Sequence, residues 1–343
     1  MREFGLRVVL CLTGVAISLV GLEIVLALAW PVWYRAPTME NFSNEGFRGY
    51  LHRASDVPGL RYELAPNMDL DTKLGPMVTN SYGMRDAEPL PSDLPGLICI
   101  VTIGDSLAFG DGVASDETFS NVLEELLRAS PLVDDRPIEV LNMGVSGYSS
   151  ADEAIVVEHK AFELEPDLII IGYVQNDPEL EPVQGLTNYF AEDAWWRHFH
   201  TTRLIAKARR NLVVNLIGGG DLIRYLHAPE QPMWKSVEQA FQKIGQLVSE
   251  RNIPVIVLIL PVVPKEKWGV YEHQYMHDQI TEVAMKAGLD VLDIYDVFKA
   301  YDPESLKVSE SDGHPSSLGH RAVAEAIYSK LFSDYSEIFT IEK

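Results

Sequence analysis

An almost wholly apolar run at residues 98–103 ends abruptly at Gly104-Asp105-Ser106, and this stretch constrains the fold more than any other part of the chain. A short continuous apolar run is typical of a strand that is buried on both faces of a parallel sheet. A helix-like pattern follows it, so Ser106 is expected where a strand ends and a helix begins. Ligands bind at this edge of open α/β sheets. Ser106 is therefore a candidate nucleophile, provided that a histidine can activate its hydroxyl.

Three further polar clusters follow in the chain. They are Asn142-Met143-Gly144-Val145-Ser146-Gly147, then Gln175-Asn176-Asp177, and then Asp312-Gly313-His314-Pro315. With Gly-Asp-Ser before them, in this order, they resemble the motifs of the SGNH or GDSL hydrolase family, in its membrane-anchored bacterial type. Each motif alone is weakly specific, but four in the same order are a strong signal. The resemblance covers roughly residues 97–331.

The resemblance implies a set of catalytic roles that also make chemical sense. Acyl transfer from an ester needs a nucleophile, a base and donors for the developing oxyanion. Ser106 would be the nucleophile and His314 the base, because a neutral imidazole is available near pH 7. The oxyanion donors would be the Ser106 N–H, the Gly147 N–H and the Asn176 side-chain amide. A glycine lets the backbone approach a substrate closely, and an amide donates without carrying charge.

The sequence departs from the family pattern at the acid that would orient the histidine. The family usually places this aspartate three residues before the histidine, where this chain has Ser311. Asp312 stands two residues before His314, and Glu310 stands four before it. We expect Asp312 to take the role, because a loop can absorb a shift of one residue. The alternative is a Ser106–His314 dyad oriented by a backbone carbonyl.

Strand-like and helix-like runs alternate from residue 97 onwards. The strand-like runs are 97–103, 138–141, 167–174, 254–260 and 290–292. Strands that alternate with helices predict parallel βαβ units and a doubly wound sheet. The expected fold class is α/β: a flavodoxin-like three-layer α/β/α sandwich with a mainly parallel five-stranded sheet, plus an N-terminal transmembrane helix.

Residues 1–35 are expected to be a membrane anchor or signal sequence, and residues 36–95 an irregular extension that packs on the domain. Residues 96–335 are expected to form the hydrolase domain, with an insertion at about 178–235. Connections as long as this insertion are usually lids, insertions or binding loops. It contains Trp195 and Trp196. Core packing is the favoured role for the two tryptophans, and stacking on a sugar or lining an acyl pocket is the alternative.

The N-terminal run at residues 8–32 is apolar or small apart from Glu23. About 20 apolar residues cross a bilayer, and Arg2 and Arg7 favour a cytoplasmic N-terminus. An uncleaved anchor is preferred, and a signal sequence cleaved near Ala27-Leu28-Ala29, which would give a secreted protein, is the alternative. Both interpretations place the catalytic domain outside the cytoplasm, in the periplasm or the extracellular space. Glu23 is costly in mid-bilayer unless it lies near the interface or meets a partner.

Composition limits the partners and cofactors. The formal net charge of −22 repels nucleic acids, so no nucleic-acid partner is expected. The sequence shows neither a Cys/His metal-ligand spacing nor a Gly-rich phosphate loop, so neither metal nor cofactor is expected. His320, at the start of a helix-like run, is expected to be structural. The expected partners are an ester substrate, either an acylated saccharide or a lipid, and the membrane.

The expected function is a serine esterase that hydrolyses carboxylic esters through an acyl-enzyme. Its substrates would be O-acyl groups on envelope carbohydrate or a lipid ester, an expectation that rests on family analogy and location. One alternative is an O-acyltransferase on polysaccharide, in which a sugar hydroxyl replaces water. The other is a catalytically silent carbohydrate-binding module of the same fold, which the displaced aspartate favours.

Overall fold

The computed structural model describes residues 2–29, 51–72, 75–131, 133, 136–178, 199–265 and 267–340. The strands in these ranges are β1 (His52–Ala54), β2 (Tyr62–Leu64), β3 (Asp69–Thr72), β4 (Gly75–Val78), β5 (Ile98–Gly104), β6 (Ile138–Asn142), β7 (Leu168–Tyr173), β8 (Val255–Ile259), β9 (Asp290–Asp293), β10 (Lys307–Ser309) and β11 (Asp312–Pro315). The α-helices are α1 (Arg2–Ala29), α2 (Ser106–Phe109), α3 (Phe119–Arg128), α4 (Ser150–His159), α5 (His200–Ile217), α6 (Leu222–Leu226), α7 (Pro232–Ser249), α8 (Gln274–Lys286), α9 (Tyr295–Lys299) and α10 (Ser317–Asp334).

The five apolar runs form one sheet. Its strands lie in the order β6-β5-β7-β8-β9, and every neighbouring pair is parallel. Numbered along the chain, this is the order 2-1-3-4-5 of flavodoxin-like doubly wound sheets. Every residue of β5, β6, β7 and β8 is buried, as expected for strands covered on both faces. The predicted fold class is confirmed, and the five-stranded sheet is parallel throughout.

Helices cover both faces of the sheet and make it a three-layer sandwich. Successive strand residues point to opposite faces, so β5 contributes Ile98 and Ile100 to one hydrophobic cluster, with α3 and α10. The same strand contributes Val101 and Ile103 to the other cluster, with α4, α7 and α8. Burying an isoleucine side chain contributes about 1.5–3 kcal/mol, so the alternation within each strand holds both helical layers on the sheet.

Residues 51–95 pack against the sheet domain through two antiparallel strand pairs, β1–β2 and β3–β4. Leu51, Tyr62 and Leu64 are buried in the cluster that includes α4 and α7. The Tyr62 hydroxyl donates to the carbonyl of Ser146, and the Tyr148 hydroxyl donates to the carbonyl of Tyr62. This part of the expected extension therefore reaches the turn after β6. Its first part, residues 36–50, lies outside the described residues.

The expected insertion is described only in part. Residues 179–198, with Trp195 and Trp196, lie outside the described residues. The remainder forms α5, α6 and the first turn of α7, which starts at Pro232. A proline suits the first turn of a helix, where its missing N–H would have no intrahelical partner.

Helix α1 is apolar over Phe4–Leu28, with a mean hydropathy of 2.4, and among the described residues it is the one helix long and apolar enough to cross a bilayer. Its Glu23 contacts the start of α5. One carboxylate oxygen accepts the His200 N–H at 2.7 Å, and the other accepts the Thr201 N–H and hydroxyl at 2.9 Å each. The N-cap residue of α5, Phe199, makes no side-chain capping bond. Glu23 therefore supplies from another helix the acceptors that an N-terminus needs.

Candidate active site

Ser106 lies at the carboxyl end of β5, on the first turn of α2. Asp105 is the N-cap of this helix, and its carboxylate accepts the Leu107 N–H at 2.9 Å. The helix ends after one turn at Gly110, whose φ of 83° is in the left-handed region that glycine adopts without strain. Ser106 is therefore held on a tight strand-to-helix turn, and its N–H belongs to the first turn, where amides have no intrahelical acceptor.

The structure brings Ser106, His314 and Asp312 into one hydrogen-bonded chain. His314 lies on the short strand β11, where a loop was expected, because the segment pairs with β10 in an antiparallel hairpin. The Ser106 hydroxyl lies 3.0 Å from His314 Nε2, and His314 Nδ1 donates to Asp312 Oδ1 at 2.6 Å. The side chains of His314 and Asp312 are 32% and 43% exposed, so the site is open to solvent.

Asn176 follows β7, the strand beside β5, and its side-chain amide donates to Asp105 Oδ2 at 3.0 Å. One N–H of the amide is used in this contact, and a primary amide has a second to offer a ligand. Gly147 lies in the turn after β6, on the other side of β5, with a φ of 83°. Its neighbour Ser146 links it to the site, because the Ser146 hydroxyl donates to Asp111. The three expected oxyanion donors thus come from the carboxyl ends of three adjacent strands.

Asp105 lies behind the serine and competes for its proton. Its Oδ2 is 3.2 Å from the Ser106 hydroxyl, which has one hydrogen for this oxygen and for His314 Nε2. Burial raises the pKa of Asp105, although the N–H donors of Leu107 and Asn176 oppose the rise. Oδ2 of Asp105 also accepts the Asn176 amide, whereas His314 Nε2 lies nearer to the Ser106 hydroxyl, at 3.0 Å, so the imidazole is the better placed partner for the hydroxyl.

Two further carboxyls, Glu153 and Asp177, are buried in this region, and sequence reasoning did not assign them a role. Among the described residues, their carboxylate oxygens have no hydrogen-bond partner. Burial raises the pKa of both well above the usual range, and each is raised further by the other acids nearby, including Asp105. The signal in the sequence was faint, because Glu153 sits in a helix start that is rich in polar residues.

Asp111 is another acid at the site. Its Oδ2 lies 3.8 Å from His314 Nε2 and accepts the hydroxyl of Ser146 at 2.8 Å. The loop that carries it is fixed by the buried Arg85, which donates to the carbonyls of Phe109, Gly110 and Val113 at 2.7–2.8 Å. Within the described ranges, no cluster of three or more His, Cys, Asp or Glu is arranged to hold a metal ion.

His320 lies apart from this chemistry. It is fully buried at the start of α10, and its Nδ1 accepts the Phe119 N–H at 3.1 Å. Its ring stacks on the Phe119 ring with centroids 6.1 Å apart. Burial lowers the pKa of His320 to about 3, so it is neutral at physiological pH. It serves to fix α10 against α3.

Three solved structures of hydrolases resemble the chain. The acetyl xylan esterase AlAXEase is 16% identical, with 68% of this chain and 100% of that chain covered and a TM-score of 0.43. A catalytic mutant of Axe2, an acetylxylan esterase from Geobacillus stearothermophilus, is 16% identical, with 68% and 94% covered and a TM-score of 0.45. LAE5, an alpha/beta hydrolase enzyme from the metagenome of Lake Arreo, Spain, is 19% identical, with 68% and 94% covered and a TM-score of 0.42. No curated protein sequence matches the chain.

The sequence also matches a protein-family model, that of the GDSL-like lipase/acylhydrolase family, over residues 102–322. The matched stretch is more than half of the chain. It begins inside β5, the strand that leads into Ser106, and it ends in α10, just after the segment that carries Asp312 and His314. The chain therefore belongs to the GDSL-like lipase/acylhydrolase family, and it is an ester-hydrolysing enzyme.

Proposed function

We propose that the enzyme is a serine esterase that works through an acyl-enzyme on Ser106. The Ser106 oxygen attacks the ester carbonyl carbon while His314 Nε2 takes the hydroxyl proton. The carbonyl oxygen becomes an oxyanion, which accepts from the Ser106 N–H, the Gly147 N–H and the Asn176 amide. Each such donor typically contributes about 100- to 1000-fold in turnover.

In the resulting tetrahedral intermediate, the bond between the former carbonyl carbon and the alcohol oxygen then breaks. The alcohol leaves with the proton from His314 Nε2. A water molecule repeats the sequence on the acyl-enzyme and releases the carboxylic acid. The observation that carries this proposal is the continuous chain of 3.0 Å and 2.6 Å contacts from Ser106 through His314 to Asp312. The 2.6 Å contact between His314 and Asp312 also argues against a catalytically silent module, because the displaced aspartate was the main argument for that alternative.

The proposed substrates are O-acyl groups on envelope carbohydrate, with lipid esters as the second class. The proposed location supports both classes, because the catalytic domain would lie outside the cytoplasm beside the membrane. The contacts of Glu23 with α5 favour an uncleaved anchor, since cleavage near residue 29 would remove the cap from that helix. An enzyme held in this way would act on polymers or lipids at the envelope surface.

The nucleophile is tested with the full-length protein in detergent micelles. Ser106→Ala should reduce hydrolysis of p-nitrophenyl acetate by about 1000-fold or more and abolish labelling by a fluorophosphonate. The melting temperature should change little, because the hydroxyl is not part of the core. Ser333→Ala, an exposed serine on α10, is the control and should keep both activity and labelling.

Persistent labelling of the Ser106→Ala protein, or a loss of stability that matches the loss of activity, would contradict the proposal. Product analysis with an added saccharide acceptor separates the two acyl-transfer reactions. Release of free acid in step with the alcohol supports hydrolysis, and acyl transfer to the saccharide would identify a transferase.

A further inference from the structure

We propose that Asp111 forms an alcohol subsite that selects esters whose alcohol portion is an uncharged polyol and rejects esters of anionic alcohols, such as a glycerol phosphate. The inference rests on the proposed function, because it uses the path of the leaving alcohol. It distinguishes between the two proposed substrate classes, since it favours acylated saccharides over phosphate-bearing lipid esters.

The position of the alcohol follows from the chemistry of His314. When the carbon–oxygen bond of the ester breaks, the departing alcohol oxygen takes its proton from Nε2, so this oxygen must lie within hydrogen-bond distance of that nitrogen. Asp111 Oδ2 lies 3.8 Å from the same nitrogen. Groups on the carbon atoms next to the alcohol oxygen are therefore brought close to this carboxylate.

The carboxylate is held in place from three directions. The Asp111 N–H donates to the carbonyl of Ser106 at 3.0 Å, and Oδ2 accepts the hydroxyl of Ser146. Arg85, which is 1% exposed, fixes the carbonyls on either side of the aspartate. A group so constrained cannot swing away from an unsuitable ligand at low cost, so its charge becomes a selective element.

The charge of Asp111 treats the two alcohol classes differently. A hydroxyl next to the ester oxygen can donate to the carboxylate, and hydrogen bonds to a charged group are the stronger kind. A phosphate elsewhere on the alcohol portion meets a like charge, which at a separation of about 6 Å near a protein surface costs about 10- to 100-fold in affinity. Arg85 directs its N–H groups at carbonyl oxygens, so it offsets only part of this charge. The net charge of −22 acts in the same direction.

The test uses two esters that differ only by a phosphate group, 1-acetylglycerol and 1-acetylglycerol 3-phosphate, with the full-length enzyme in micelles. The wild-type kcat/KM should favour the neutral ester by about 10- to 100-fold, and this ratio should shrink as salt is raised from about 0.01 M to about 0.5 M. Asp111→Asn should reduce the ratio by about tenfold. Asp111→Glu, which keeps the charge, should preserve most of it.

Asp116→Asn is the matched control, because it removes an equal charge from an exposed position five residues along the same loop. It should leave the ratio unchanged. An equal ratio in wild type and Asp111→Asn, with both esters cleaved in a Ser106-dependent way, would overturn the subsite and leave the proposed function standing. If neither these esters nor p-nitrophenyl acetate is cleaved, the proposed function fails and the subsite fails with it.

Discussion

At the scale of single residues, the orientation of His314 depends on its near neighbour in sequence. Asp312 Oδ1 accepts both the backbone N–H of His314, at 3.1 Å, and its ring Nδ1–H, at 2.6 Å. A side chain that bonds the backbone two residues ahead forms a local turn of a kind that aspartate favours. The acid and the base are thus fixed by one short segment, which makes the spacing of two residues workable.

Replacing Asp312 with asparagine should slow ester hydrolysis by about 100- to 10,000-fold, because the wrong ring tautomer is then favoured and the imidazolium loses its counter-charge. KM should change far less than kcat. The exposed Glu310, four residues before the histidine, is the matched control, and Glu310→Gln should keep full activity. Steady-state kinetics on p-nitrophenyl acetate decide the matter. Equal activity in Asp312→Asn and wild type would show that another group orients the histidine.

Motif order made Ser106 and His314 candidates before the fold was known, and Asp312 was expected because a loop can absorb a shift of one residue; the structure brings the three into contact. Motif order was not enough for Arg85 or Asp111, because their effect on the site arises from contacts between segments that the sequence does not bring together. Glu153 was missed for a related reason. A glutamate in a helix is normally exposed, and only the packing of α4 on the sheet shows that this one is buried.

At the scale of elements, β6 illustrates how an exposed sheet edge is protected. It is one of the two edge strands of the sheet, and an open edge presents unpaired N–H groups to other chains. Here Glu124 accepts the Val140 N–H at 2.8 Å, and Asp86 accepts the Asn142 N–H at 2.9 Å. Carboxylates from two other segments therefore cover the donors that another strand would use.

The protection of this edge should make stability depend on pH. Burial raises the pKa of Asp86 from 3.8 to about 7, so the folded state holds this proton more tightly than the unfolded chain does. The stabilisation that this proton gives to the folded state is fully present below about pH 4. It is lost as the pH rises to about 7, which lowers the free energy of unfolding by about 2–4 kcal/mol.

Asp86→Asn should therefore flatten the change in unfolding free energy between pH 4.5 and 7.5, even if its stability is lower throughout because one acceptor is lost. Urea denaturation at the two pH values measures this slope. Asp93→Asn, at an exposed position, should keep the wild-type slope. A slope in Asp86→Asn equal to that of wild type would count against a buried, protonated Asp86.

At the scale of the whole molecule, Arg85 joins the N-terminal extension to the active-site loop. Its removal takes a side-chain donor from three buried carbonyls, so Arg85→Ala should lower the unfolding free energy by about 3–5 kcal/mol and reduce kcat/KM as the loop loosens. Arg85→Lys should recover only part of this, because an ammonium cannot reproduce the planar fork.

Arg53→Ala is the control, since it breaks an ion pair with the buried Glu63 while Lys160 stays as a partner of that carboxylate, and it should cost less stability than Arg85→Ala. Thermal unfolding and steady-state kinetics give both quantities for each variant. If Arg85→Ala were as stable and as active as Arg53→Ala, the extension would not support the site.

The apolar runs located the five sheet strands to within one residue at every end, because buried parallel strands have the least ambiguous sequence pattern. The pairing of β10 with β11 was not predicted. Neither strand has an apolar alternation, and they pair because the tight segment before His314 folds back on Lys307. The contact of Glu23 with α5 likewise depends on two segments that are far apart in sequence.

This last contact bears on how a soluble form of the enzyme should be engineered. Removing α1 to aid purification would also remove the acceptors of the first amides of α5. A crystal structure or an activity measured on such a shortened form would then describe a protein in which the start of α5 is frayed. A replacement acceptor at the neighbouring position, as in Phe199→Asp, would restore the missing partner from within the same helix.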